Sequence, residues 1–233
     1  MKVTSLKENL HRPLSLVSRY VSSRPALPVL ANILVEVSND GLTLSATNLD
    51  ITVRAHLPSK PQSFGKTTVP AKSFAEMVAT LPAGKVILSA QDGQIELATD
   101  STLASFNTIP AQDFPVLPIF NQDQALSLPL NVLKEVAEKV LFAAATDESR
   151  PVLTTLLLQP LGDQIAFVAT DGFRLSEVTR PAHIINLAEH QRLLLPAKII
   201  AELIKIGSEV HADTLWIDVA SQTTQIAPKS RPS

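Results

Sequence analysis

Apolar residues recur along this chain with two spacings. Leu42, Leu44 and Ala46, then Ile51, Val53, Ala55 and Leu57, alternate with polar neighbours, the period of two that places one face of a strand on a core. Segments 85–90, 94–99 and 102–109 predict three more strands joined by tight turns, one of them at Asp92-Gly93. Between these groups Phe74, Met77, Val78 and Leu81 fall at i, i+3, i+4 and i+7. That is a single helical stripe, entered by Pro70 and ended before Pro82. Leu10, Leu14, Val17 and Val21 predict an earlier helix, which Pro13 should kink or delay, and a stripe from Leu130 through Leu133, Ala137, Val140 and Leu141 to Ala144 predicts another.

The pattern is duplicated. VPAKSFAEMV at 69–78 and LPAKIIAELI at 195–204 share Pro, Ala, Lys, Ala and Glu at an offset of 126 residues, and Ser23-Arg24-Pro25 recurs as Ser149-Arg150-Pro151 at the same offset. A weaker echo pairs Ala46-Thr47-Asn48 with Ala169-Thr170-Asp171 at 123. Each copy reads as two helices and about seven short strands, helices segregated to one face of antiparallel sheet, which is an α+β class. The Pro-rich stretch 113–124 lacks helical periodicity and places the boundary near Gln122, giving domains 1–122 and 123–233. After its second helix, copy two offers strands at 214–219 and 223–227 but none matching 102–109, so it is expected to stop one strand short, with PKSRPS as a frayed tail.

Composition then narrows the chemistry. Among 233 residues there is no cysteine, which excludes disulfides, thiolate metal sites and cysteine nucleophiles. Neither GxGxxG nor GxxxxGK[ST] occurs, the five histidines form no HExxH, and there is no GxSxG. No cofactor or metal is expected. The net charge of −2, with 10 basic and 9 acidic residues before the boundary and 10 and 13 after it, excludes binding of nucleic acid by bulk positive charge. No apolar run approaches the ~18 residues of a membrane span and the N-terminus lacks a signal-peptide core, so a cytoplasmic protein without membrane contact is expected.

Several stretches together carry a family resemblance: SSRPALPVLANIL, LTLSATNLDITV, TVPAKSFAEMVATLP, FNTIPAQDFPVLP, ATDESRPVLTTLLL and VATDGFRLS. In these the chain resembles the bacterial DNA polymerase III beta subunit, the replicative sliding clamp, from Met1 to about Ala227. The resemblance implies the DNA clamp fold, three such domains per subunit, a homodimeric ring around duplex DNA, and a groove that captures clamp-binding peptides of the polymerase III alpha subunit and the clamp loader. The chain would hold domain one and most of domain two. With domain three lacking, it is expected to be unable to close a ring, its copy-two sheet edge left unpaired.

The same resemblance assigns residues. Arg24 and Lys72 correspond to family DNA-contact positions, and Arg150 and Lys198 are their partners by the internal register; as bare sequence, without the resemblance, each reads as a solvated loop or helix-start cation. Leu153, Thr170, Gly172, Phe173, Arg174 and Leu175 would form the domain-two wall of the peptide groove, with leucines as apolar floor and Arg174 donating to peptide carbonyls. As bare sequence, 170–175 is also simply a strand entering an Asp-Gly turn. Where some relatives carry two aromatics beside the arginine, this chain has Pro151-Val152, and Phe173 replaces a histidine. Phe106, on the strand that would cross the subunit interface, reads equally as interface or core. Two rival readings are a stand-alone peptide-binding module and a hydrolase or nuclease with Asp50, Asp171 and Asp218 as metal ligands, though these lack DxD or ExxH spacing.

Overall fold

The computed structural model describes residues 1–22, 25, 27–49, 51–117, 120–121, 125–185, 187–220 and 223–229. The chain divides into two compact units, Met1–Leu117 and Pro118–Ser233. Unit 1 opens with β1 (Lys2–Leu6) and α1 (Lys7–Val17), followed by β2 (Asn32–Ser38), β3 (Gly41–Thr47), β4 (Thr52–Leu57), β5 (Lys60–Ser63), β6 (Gly65–Pro70) and α2 (Ala71–Thr80). It closes with β7 (Lys85–Gln91), β8 (Gln94–Ala98) and β9 (Leu103–Asn107). Its strands form two antiparallel sheets, β4-β3-β2-β6 and β5-β1-β7-β8-β9. Both helices bury one face against them: Leu10, Leu14 and Val17 from α1, Ala71, Phe74 and Val78 from α2. The expected α+β class is what the structure shows.

Pro13 neither delays nor ends its helix. Proline inside a helix removes a hydrogen bond and costs roughly 3 kcal/mol. Leu10, Leu14 and Val17 are at most 1% exposed, and burying three such side chains at about 1.5–3 kcal/mol each outweighs that cost. The helix ends at Val17 in a 3-10 turn, Ser18–Tyr20, so Val21 lies beyond it while still packing on the core.

Unit 2 repeats the plan with β10 (Leu126–Pro129), α3 (Leu130–Val140), β11 (Thr155–Leu161), β12 (Gln164–Thr170), β13 (Leu175–Pro181), β14 (Leu193–Pro196), α4 (Ala197–Glu209), β15 (Thr214–Ala220) and β16 (Thr223–Lys229). Its sheets run β13-β12-β11-β14 and β10-β15-β16. The first matches β4-β3-β2-β6 strand for strand; the second lacks, among the described residues, counterparts of β5 and β9. Gly207 lets α4 approach α3, because a Cβ there would stand 2.8 Å from Leu130 Cδ2.

The repeat register is finer than the sequence echoes indicate. The helix starts Lys7 and Leu130, the 3-10 turns Pro28–Ala31 and Pro151–Thr154, and the strand starts Thr52 and Leu175 are each 123 residues apart. Only from β6 and β14 onward does the displacement become 126, as at Ala71 and Ala197. The weak Ala-Thr echo therefore carries the true register of the first half. The Ser-Arg-Pro echo at 126 does not: it lies between two pairs of turns both displaced by 123, so Arg150 stands opposite Leu27 rather than Arg24.

Candidate functional site

The loop between β12 and β13 is built by its own side chains. Asp171 Oδ1 accepts the backbone N–H groups of Phe173 at 2.9 Å and Arg174 at 3.0 Å, while Oδ2 takes Arg174 Nε at 2.9 Å. Thr170 Oγ1 donates to Arg174 O at 2.7 Å and accepts Gly172 N at 3.0 Å. Short Thr and Asp side chains bond local backbone readily, which is why this pair fixes a tight turn. Gly172 sits at φ 91°, a conformation that disfavours side chains, and a Cβ there would point toward Arg150 and Leu153 at 3.9 Å. The bonds from Arg174 and Phe173 backbone hold the Asp171 carboxyl below its ordinary range, with Arg174's guanidinium adding to the effect.

The result is a loop that turns its apolar groups outward. Phe173 is fully exposed and Leu175 largely so, beside an open pocket of about 420 Å³ lined by Ala144, Thr146, Arg150, Leu153, Phe173 and Arg174 among others. The far rim is tied down as well: Asp147 accepts both Ser149 N and Oγ, and Ala145 N donates to Leu153 O. Arg174 is held at two points, by Asp171 and by the ring of Phe142, whose centroid lies 5.6 Å from Cζ. The six residues expected to form a groove wall are thus brought together, with Arg150 beside them. Phe142 was not legible as part of the site, because the helical stripe runs past it; the structure ends α3 at Val140 and the 3-10 turn Leu141–Ala143 leaves Phe142 exposed.

The expected DNA-contact cations are more scattered. Arg24 lies outside the described residues. Lys72 is exposed in the first turn of α2, whose Pro70 cap supplies no side-chain acceptor, so the helix start presents uncapped N–H groups beside an ammonium. Lys198 occupies the same place on α4 but pairs with Glu148 at 2.6 Å, an exposed contact that lowers the Glu148 pKa. Arg150 lines the pocket, and by the register of the surrounding elements its counterpart is Leu27 rather than Arg24.

Phe106 is resolved toward the core: it packs edge-on against Phe74, centroids 5.4 Å apart at 81°. The apolar side chain that edge strand β9 presents outward is Leu103. Of the proposed metal trio, Asp50 lies outside the described residues, Asp171 is committed to its loop, and buried Asp218 accepts Asn121 N at 2.8 Å. Among the described residues no group of three or more carboxylate or imidazole side chains is placed to hold a metal, and no helix is long and apolar enough to cross a membrane.

Comparison with known proteins bears on both units. Residues 1–118 match the family model of the DNA polymerase III beta subunit N-terminal domain, and residues 127–230 match that of its central domain. The Beta sliding clamp of Synechocystis is 38% identical over 94% of this chain and 61% of its own length; that of Escherichia coli K12 is 33% identical over 88% and 56%. The DNA polymerase sliding clamp of Caulobacter crescentus superposes with a TM-score of 0.86 at 28% identity, covering 99% of this chain and 63% of that one. The chain therefore spans about three-fifths of the length of these relatives.

Proposed function

The chain belongs to the DNA polymerase III beta-subunit family, and from that membership we propose that it acts as a sliding-clamp polypeptide, a non-catalytic processivity component of a nucleotidyltransferase complex in the cytoplasm. Unit 1 and unit 2 take the places of the family's N-terminal and central domains, with the boundary in the Pro-rich connector near Gln122. Duplex DNA is held by phosphate contacts from Lys72, Arg24 and Lys198, since sliding requires contacts indifferent to sequence. The edge strand β9 serves subunit pairing. The pocket of unit 2 captures extended tails of the polymerase alpha subunit and clamp loader: Leu153 and Leu175 receive an apolar anchor, Gly172 admits the peptide backbone, and Arg174 donates to its carbonyls.

The observation that carries this reading is the self-braced loop 170–175, which spends its polar groups on itself, presents Phe173 and the Arg174 guanidinium to a pocket, and leaves Leu175 exposed next to them in the chain. The test is a fluorescence-polarisation titration with a labelled C-terminal tail peptide of a bacterial polymerase III alpha subunit. Leu175→Ala should weaken binding by about one to two decades, because an anchor leucine contributes roughly 1.5–3 kcal/mol when buried. An unchanged dissociation constant counts against the site. The protein should also show no metal-dependent incorporation or cleavage of DNA that is abolished by changing its own carboxylates.

A further inference from the structure

Arg174 is fixed more completely than its turn requires. Its backbone N–H is accepted by Asp171 Oδ1 at 3.0 Å and its carbonyl accepts Thr170 Oγ1 at 2.7 Å. Its side chain is held as well, by the bond from Nε to Asp171 Oδ2 at 2.9 Å and by the Phe142 ring, 5.6 Å from Cζ. Unit 1 makes the corresponding turn without a guanidinium. There Ile51 stands in the place of Arg174, its N–H accepted by Asn48 Oδ1 at 2.8 Å and its carbonyl by Thr47 Oγ1 at 3.2 Å. The two backbone bonds therefore suffice for the turn, and the two holds on the Arg174 side chain serve something else.

The ring is particular to unit 2 in the same way. The 3-10 turns Ser18–Tyr20 and Leu141–Ala143 follow α1 and α3 at a displacement of 123, which sets Phe142 opposite Arg19. Unit 1 thus has a cation and an isoleucine where unit 2 has a ring and a guanidinium. Phe142 is not a core side chain, since it is 59% exposed while Val140 and Ala143 beside it are buried. Among the described residues the pocket is lined by Arg174 and not by Phe142, so the ring reaches the pocket only through the arginine.

What the two holds leave open is the Nη pair. Asp171 takes Nε, the ring lies under Cζ, and among the described residues no acceptor takes the Nη groups. An unrestrained arginine spreads its donors over many rotamers, and ordering them when a ligand arrives costs affinity. A guanidinium held over an aromatic and bonded at Nε has already lost that freedom.

We propose that Phe142 is a positioning residue for tail capture: its ring sets the Arg174 guanidinium before the peptide arrives, so that the Nη groups meet the peptide carbonyls already ordered. This rests on the reading of the pocket as the tail-binding site.

The test uses the full chain and the labelled polymerase-tail peptide. Phe142→Leu keeps apolar bulk but removes the ring, and should weaken binding about two- to fivefold, whereas Phe142→Trp should retain it, since indole attracts a cation at least as well. In a chain carrying Arg174→Ala, adding Phe142→Leu should cost nothing further. The Arg174 Nε–H resonance of the free chain reads the hold directly: Phe142→Leu should shift it and speed its exchange with water. Tail binding indifferent to Phe142→Leu overturns the proposal alone. So does a loss that persists in the Arg174→Ala chain, because the ring would then touch the peptide or support the fold. A native chain that does not bind the tail overturns the pocket reading and this proposal with it.

Discussion

Asp171 holds the pocket loop with both carboxylate oxygens, and the same turn exists in unit 1 with Thr47 in the place of Thr170 and Asn48 in the place of Asp171. There Asn48 Oδ1 accepts Ile51 N at 2.8 Å and Thr47 Oγ1 accepts Leu49 N at 3.1 Å. Leu49 adopts φ 80° where unit 2 has glycine at φ 91°, so unit 1 makes the same turn with a side chain in a disfavoured conformation, and Gly172 makes it without that strain. Asp171→Ala should therefore weaken tail-peptide binding by loosening the loop, and Asp171→Asn should retain part of it because Oδ1 still accepts; polarisation titrations of both variants check this. The pH dependence follows from a depressed carboxyl. Its stabilising contribution is complete above the ordinary aspartate value of 3.8 and is lost as pH falls through the lower folded value. The carboxylate stays ionised at neutral pH, so affinity should not vary with pH there on account of Asp171 and should decline only in that acid range. At this scale the sequence announced Thr170-Asp171-Gly172 as a turn, but not Phe142, whose exposure depends on where α3 gives way to a 3-10 turn.

Elements were legible wherever periodicity was long. The stripe through Phe74 and Val78 became α2, and the alternation from Leu42 became β3 and β4. Short strands such as β1, β5 and β10 were not read from their own pattern, since four or five residues carry too little alternation and they are fixed by pairing with distant partners. Proline misled at α1, where burial overrode a local preference. The repeated Ser-Arg-Pro misled for another reason: loop residues recur by turn chemistry, whereas register is set by the strands. In unit 1 the segment from Ile109 to Leu117 packs on Val29, Leu30 and Leu34, and the Thr68 hydroxyl donates to Ile109 O at 2.7 Å and accepts Ile109 N at 3.0 Å, which makes a testable element. Thr68 Oγ1 also accepts Asn32 Nδ2 at 2.9 Å in a buried setting, so Thr68→Val strands three polar partners while preserving shape. It should lower the urea-unfolding stability by about 2 kcal/mol or more, against near-neutral behaviour for a threonine on the exposed rim such as Thr80.

Across the whole molecule, one fold is used twice with different surfaces left open. Unit 1 covers its outer sheet face and keeps an exposed Lys72 at an uncapped helix start, while unit 2 pairs the equivalent Lys198 with Glu148 and opens a pocket instead. If Lys72 is a phosphate contact, Lys72→Ala should weaken duplex binding equally for all sequences and reduce the slope of log affinity against log salt by about 1. Lys198→Ala should have a smaller effect, because its charge is already opposed, and Glu148→Gln should strengthen duplex binding at low salt; fluorescence anisotropy over a salt series measures all three. The claim on which the account rests is that tail capture belongs to unit 2 alone. Its most direct test is methyl chemical-shift mapping of the labelled chain with the polymerase-tail peptide. Perturbations concentrated at Leu153, Thr170 and Leu175, with none at their unit 1 counterparts Leu30, Thr47 and Thr52, are the predicted result. Perturbations centred on unit 1, or spread evenly over both copies, would contradict it.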